Sequence, residues 1–198
     1  MQDNFHKKAD TWDNGATRVN GAQVIADAIA KKVTLHSDMH IIDFGVGTGL
    51  LGFEIAKQTK QVHGIDTSAS MLEKLKEKNS DELFIKPYHQ DIIVTPLEDE
   101  FDGLVSSMTL HHVEDLEKFF TQIHKNIKED GFIAIADLES EDGTFHSDNT
   151  GVFHFGFDKD TLCTIAQKSG FRDVVIENIN TIKKPHKDFG VFLLTAKK

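Results

Sequence analysis

A chain of 198 residues with 32 acidic against 22 basic side chains carries a formal charge of −10, and no Lys/Arg patch stands out, so a nucleic-acid partner is not expected. One cysteine, Cys163, excludes an intrachain disulfide and a cysteine-based metal knuckle, and no apolar run is long enough to span a bilayer. The length suits one α/β domain with a sizeable core. With a polar N-terminus unlike a signal peptide and no linker or repeat, the expectation is a single cytoplasmic domain, residues 1–198, with residues 1–35 as a helical cap.

In chain order, Gln23 to Ala30 has the spacing of an amphipathic packing helix. His40 to Phe44 is a short apolar run interrupted by Asp43, and Gly45, Gly47 and Gly49 follow at alternate positions before an amphipathic segment, Leu51 to Gln58. That order predicts a buried parallel strand, a tight turn and a helix N-terminus. Glycine supplies the backbone angles of such a turn and lets a ligand touch the main chain. Free N–H groups at the helix start attract an anionic group, so a nucleotide-like cofactor is expected there. Gln61 to Asp66 reads as a second strand ending in an acid, at the distance past the glycines expected of a ribose-binding carboxylate. Ser68 is the predicted N-cap of the next helix, whose Lys74, Lys76 and Lys78 interleave with Glu73 and Glu77 and read as a solvated face. Phe84 to Tyr88, Phe101 to Ser107, Asp130 to Asp137 and Gly190 to Lys197 are further predicted strands. The predicted fold is a single doubly wound, mostly parallel sheet of about seven strands with an antiparallel last strand.

Two cofactors compete for the glycine turn. Gly47-Thr48-Gly49-Leu50-Leu51-Gly52 also satisfies the dinucleotide fingerprint G-x-G-x-x-G, which keeps an NAD-dependent oxidoreductase as the alternative. Asp43 argues against it: a fixed carboxylate repels a pyrophosphate and attracts an amine or sulfonium. The only tyrosine, Tyr88, has Ile92 four residues on, so the Tyr-x-x-x-Lys dyad of short-chain dehydrogenases is missing.

The run Asp43-x-Gly45-x-Gly47-x-Gly49 resembles the first motif of the class I S-adenosylmethionine (SAM)-dependent methyltransferases. The passages around Asp66, Asp91, Ser107 and Asp130 to Asp137 resemble the later motifs of the same Rossmann-like family, in order, from about Phe5 to Lys197. The resemblance implies SAM as cofactor and a small-molecule acceptor. Asp43, Phe44, Gly45, Gly47 and Gly49 would hold the methionyl part, and Asp66 with Thr67 the ribose. Met71 would pack on the adenine, and Gln90, Asp91 and the backbone of Ile92 would meet its edge. Phe5 to Asp13 is similar to the family's entry helix, so Trp12 either closes on the ligands or anchors that helix. Arg18 either reaches the methionyl carboxylate or is solvated. A non-catalytic SAM-binding partner protein is a further alternative.

Methyl transfer is an in-line displacement driven largely by alignment, and a protic acceptor profits from a base. His111 and His112 follow the fourth predicted strand at the ligand-binding edge, as bases or as packing groups. The long connection from Asp137 to Phe157 carries His146, His154, Glu139 and several phenylalanines. In the family this loop covers the acceptor, so Ser107, His111, His112, His146 and His154 are expected on the acceptor side. A divalent metal on His146 and His154 with Asp137 or Glu139 matches no defined spacing, so no metal is expected. Cys163 is expected as a small buried apolar residue.

Overall fold

The structure is a computed structural model that describes residue 3 and residues 5–198; positions 1, 2 and 4 lie outside the described residues. Its elements are α1 (Ala16–Lys32), β1 (His40–Phe44), α2 (Leu50–Ala56), β2 (Gln61–Asp66), α3 (Ala69–Lys78), β3 (Ile85–His89), β4 (Phe101–Ser107), α4 (Leu116–Asn126), β5 (Ile127–Leu138), α5 (Lys159–Lys168), β6 (Arg172–Lys183) and β7 (Asp188–Lys197). All seven strands join one sheet in the order β3-β2-β1-β4-β5-β7-β6. β1 pairs in parallel with β2 and β4, and β7 runs antiparallel to both β5 and β6.

Strand alternation divides the core into two layers. Ile42, Leu104, Ile133, Ile135, Phe192 and Leu194 face Phe119, Phe120 and Ile123 of α4 and Leu162 of α5. Their neighbours Ile41, Val105, Ala134, Ala136, Val191 and Leu193 face Ile25 and Ile29 of α1, Ile55 of α2 and Leu75 of α3. β1 and β4 therefore bury apolar side chains on both faces, Ile41 with Val105 on one and Ile42 with Leu104 on the other. The chain winds from β1 towards β3 on one side and from β4 towards β6 on the other. The C-terminal ends of β1 and β4 thus form the switch point at which an open sheet leaves a crevice.

Strands β1, β2 and β4 have the predicted bounds, and Ser68 is the N-cap of α3, its Oγ accepting the Met71 N–H at 3.2 Å. Strand β3 starts at Ile85, one residue late. The Asn79 side chain bonds both the N–H and the carbonyl of Ile85 at 2.9 Å, and Phe84 is left half exposed. Strand β5 begins at Ile127, directly after α4, and its register with β4 shifts between Phe101 and Gly103. Asp130, at φ +63°, lies in that irregular start. Strand β6 has no counterpart in the sequence reading, because its residues are mostly exposed or half-exposed at the sheet edge and show no apolar alternation. The N-terminal segment forms a 3₁₀ helix over Ala9–Asn14, and α1 starts at Ala16, seven residues before the predicted stretch. Cys163 is half-buried on α5. No helix among the described residues is long and apolar enough to cross a membrane.

Candidate active site

One cavity of about 1590 Å³ opens at the switch point and runs from the glycine turn to the loop after β5. Its floor is built by backbone. Gly45, Gly47 and Gly49 all have positive φ (69°, 53° and 87°), and the N–H groups of Gly45 and Val46 donate to the Ile65 carbonyl at 2.8 and 3.1 Å. The three glycines serve different needs. A Cβ on Gly45 would fall 2.2 Å from the Thr109 side chain, so glycine there permits β1 and β4 ends to close together. A Cβ on Gly47 would meet nothing within 4 Å, and Gly47 lines the cavity. Gly49 does not line it: it is the left-handed cap of α2, packed against Phe53 and Ile85, so its role is the turn and not ligand contact.

Two carboxylates stand at adjacent strand ends. Asp43 is 1% exposed, and its Oδ2 has no hydrogen-bond partner. Burial, followed by the nearby Asp66 charge, pushes its carboxyl well above the usual range. A buried, under-satisfied acid on a cavity wall fits a cationic ligand group and opposes a pyrophosphate. Asp66 accepts the Gly47 N–H at 2.7 Å on Oδ2 and the Ser68 N–H at 2.8 Å on Oδ1. Burial raises its pKa while those N–H groups lower it. Each oxygen keeps a lone pair for a hydroxyl donor. Phe44, Thr67, Met71, Gln90, Asp91 and Ser107 also line the cavity. Asp91 accepts the Ile93 N–H at 2.8 Å on one oxygen, leaving the other available. Ile92 is a fully buried core side chain and does not line the cavity, so only its backbone is left to serve a ligand.

A strap formed by the N-terminal segment crosses this region. Asp3 accepts the Ser68 hydroxyl at 2.8 Å and the Ser70 hydroxyl and N–H at 2.7 and 3.1 Å. These bonds hold the Asp3 carboxyl down to about 2 against the opposing effect of burial. Asp10 pairs with Lys74, and Asp13 pairs with Lys78 while accepting the Thr48 hydroxyl at 2.6 Å. Two of the three lysines expected on a solvated face therefore fasten the strap. Trp12 lines the cavity edge, with Arg18 stacked 4.3 Å over its ring and Phe5 edge-on at 5.7 Å.

At the far end the tandem histidines part company. His111 is 1% exposed, and its Nδ1 lies 2.8 Å from Oδ1 of the fully buried Asp137, whose Oδ2 accepts the His111 N–H at 3.1 Å. Asp137 Oδ1 also accepts the Leu138 N–H at 2.7 Å, so this carboxylate pins the turn after β4 to the end of β5. His112 is half-buried, and its Nδ1 donates to the Gly151 carbonyl at 2.6 Å, which leaves Nε2 with the lone pair. Burial and then His111 lower its pKa, favouring the neutral ring. His146 stands 4.9 Å from His111 and 6.1 Å from His112 between ring centres, and burial, then His111 and His112, depress it to about 4. The structure brings His111, His112 and His146 to one cavity wall and leaves His154 out. His154 Nε2 bonds the Val113 carbonyl at 2.8 Å and its ring lies on Phe157, so it braces the loop and does not face the acceptor space. Glu139 is spent on Lys159 at 2.7 Å, and no group of three or more metal-binding side chains forms among the described residues. The N-terminal strap lies where the entry segment was expected, whereas the Asp137 pin and the Gly151 carbonyl were missed as site elements. Asp137 carried a signal, an acid at the end of an apolar strand, as at Asp43 and Asp66; the Gly151 carbonyl carried none.

A methyltransferase-domain family model matches residues 42–135. A Schizosaccharomyces pombe protein described as an uncharacterized methyltransferase is 33% identical over 138 residues, which is 61% of this chain and 48% of that protein. The chain spans about half the length of the curated relatives it matches first. Among solved structures, a SAM-dependent methyltransferase of Mesorhizobium loti superposes with a TM-score of 0.73 at 19% identity, covering 91% of this chain and 100% of that one. A Haemonchus contortus phosphoethanolamine N-methyltransferase 2, in complex with phosphomonomethylethanolamine and S-adenosylhomocysteine, gives 0.69 at 20% identity, with 87% and 52% covered. Strand order and glycine turn agree with these matches: residues 42–135 are similar to a methyltransferase domain, and the sheet has the fold of the SAM-dependent methyltransferases.

Proposed function

We propose that this chain transfers the methyl group of SAM to a protic group of a small-molecule acceptor, with His112 as the base. The observation that carries this reading is a single cavity joining Asp43 and Asp66 at one end to His112 and His146 at the other. Its volume of about 1590 Å³ exceeds the roughly 300–1,000 Å³ of a pocket for one drug-sized ligand, leaving room for a cofactor and an acceptor together. SAM supplies an electrophilic methyl carbon on a sulfonium that is its own leaving group. Asp43 receives the cationic methionyl end, Asp66 the ribose hydroxyls, and Met71 with Asp91 the adenine. The His112 Nε2 takes the acceptor proton as the new bond to carbon forms, and its neutral form at pH 7 suits that role. The net charge of −10 supports a small acceptor over a nucleic acid.

Calorimetric titration with SAM, S-adenosylhomocysteine and NAD tests the cofactor assignment. Micromolar binding of the two adenosyl ligands alone is expected, and NAD binding without them would return the oxidoreductase reading. A screen of small amines, hydroxyl compounds and thiols with labelled SAM then tests the activity. Phosphomonomethylethanolamine belongs in its first panel, because it is bound in the Haemonchus contortus structure. Tight SAM binding with no acceptor turning over would favour the non-catalytic partner protein.

A further inference from the structure

Both signs of charge line the cavity: Asp3, Asp43, Asp66 and Asp91 stand at the cofactor end, and beside the histidines Lys8, Lys183 and Lys184 stand with Glu114, Asp115 and Asp148. Lys184 sits at the start of the β6–β7 turn and is half-buried. Its Nζ donates to the Phe145 carbonyl and lies 4.1 Å from the centre of the Phe145 ring and 5.7 Å from that of Phe189. Among the described residues no carboxylate comes within ion-pair distance of it.

Acids in the surroundings are otherwise engaged. Glu141, the charge that most favours the protonated lysine, has its Oε2 taken by the N–H groups of Gly143, Thr144 and Phe145 at 2.8 to 3.2 Å. Asp142 pairs with Lys187 at 3.0 Å, and Asp148 accepts the Thr150 N–H and hydroxyl. Glu141 therefore acts on Lys184 only through space, and a half-buried ammonium with one carbonyl partner and no paired acid keeps donors free for an anion in the cavity. We propose that Lys184, supported by Lys183, forms an anion subsite that anchors a carboxylate or phosphate group of the acceptor. The proposal rests on the methyltransferase reading: the anion holds one end of the acceptor so that its protic group reaches His112.

The probes are methyl phosphate and propionate, titrated into protein saturated with S-adenosylhomocysteine and followed by amide and imidazole NMR. Saturable shifts at Phe145, His146 and Lys184 are expected for at least one of the two, and which anion binds tighter separates phosphate from carboxylate. Lys184→Gln keeps a donor for the Phe145 carbonyl and removes the charge; it should weaken the anion fivefold or more, while Lys184→Arg retains it. Absence of saturable shifts with both anions, or equal affinity in Lys184→Gln, would overturn the subsite. Failure of S-adenosylhomocysteine to bind would instead overturn the cofactor reading, so the two failures are distinguishable.

Discussion

The two ends of the cavity are built by different means. At the cofactor end, beneath the N-terminal strap, the floor is made of main-chain atoms and a strand-end carboxylate held by N–H groups two and nineteen residues away in sequence, in the bonds from Ser68 and Gly47 to Asp66. At the acceptor end, side chains meet across 26 to 41 residues, as in His111–Asp137, His112–Gly151 and His154–Val113. The first end is a property of the fold, shared by proteins with many acceptors. The second is a set of long-range side-chain pairings on loops, the parts of a structure most free to vary. Cofactor class therefore follows from this architecture, while in the proposed function acceptor choice is assigned to the loop after β5.

Exchanging single groups at each end breaks that comparison in a defined order. The largest effect is expected from His112→Ala, assayed on an acceptor from the screen: turnover should drop by about 10²–10⁴, the usual contribution of a general base, with SAM affinity unchanged. Normal turnover would reassign His112 to loop packing. Next, Asp137→Ala strips three donors of their acceptor in a fully buried place and should cost about 3–5 kcal/mol in urea denaturation. A loss near zero would show the pin to be dispensable.

The glycine turn offers a sharper pair. Gly45→Ala combines a left-handed backbone with overlap on Thr109 and should lower stability by more than about 2 kcal/mol. Gly47→Ala meets no atom, so only the backbone strain of about 1–2 kcal/mol applies, yet S-adenosylhomocysteine affinity should fall because the new methyl enters the cavity. Equal stability losses in the two variants would contradict the division of roles.

One part of the pH dependence comes from outside the site, beside that of His146 within it. His63, 7% exposed between His40 and Tyr88, is depressed to about 4 by burial, then by His40 and Lys86. Between pH 6.5 and about 4 the unfolded chain takes up this proton and the folded one does not, so stability falls as pH falls through that window. At pH 5 the loss from this group is about 2 kcal/mol relative to pH 7, and His63→Phe should reduce the slope of the urea-midpoint profile, leaving the share of His146. The smallest effect is expected from Asp3→Ala, which releases the strap from Ser68 and Ser70. The dissociation rate of S-adenosylhomocysteine should rise a few-fold with little change in melting temperature.

What could be read in advance tracks these distances. Strands β1, β2 and β4 were legible because each is buried along its middle, where short apolar pairs such as Ile41-Ile42 and Leu104-Val105 fill both faces. The Ser68 cap was legible because the requirement, a hydroxyl three residues before a helical N–H, is local. Strand β6 was not, since an edge strand with exposed Glu177 and Lys183 has no periodic apolar face to betray it. His154 was misplaced because a histidine in a polar loop reads the same whether it faces a ligand or bonds a carbonyl such as that of Val113.

By itself, the sequence determined the glycine turn, the acids at 43 and 66 and the sheet that carries them. Each is a backbone requirement met within a few residues, where composition dictates conformation. Only the tertiary structure decided that Asp137 holds Nδ1 of His111 while the Gly151 carbonyl holds Nδ1 of His112, that Lys74 and Lys78 fasten a strap, and that Lys184 lines the cavity with no paired acid. A side chain's chemistry states what it can bond, and the partner it receives is set by which distant segments the fold packs beside it.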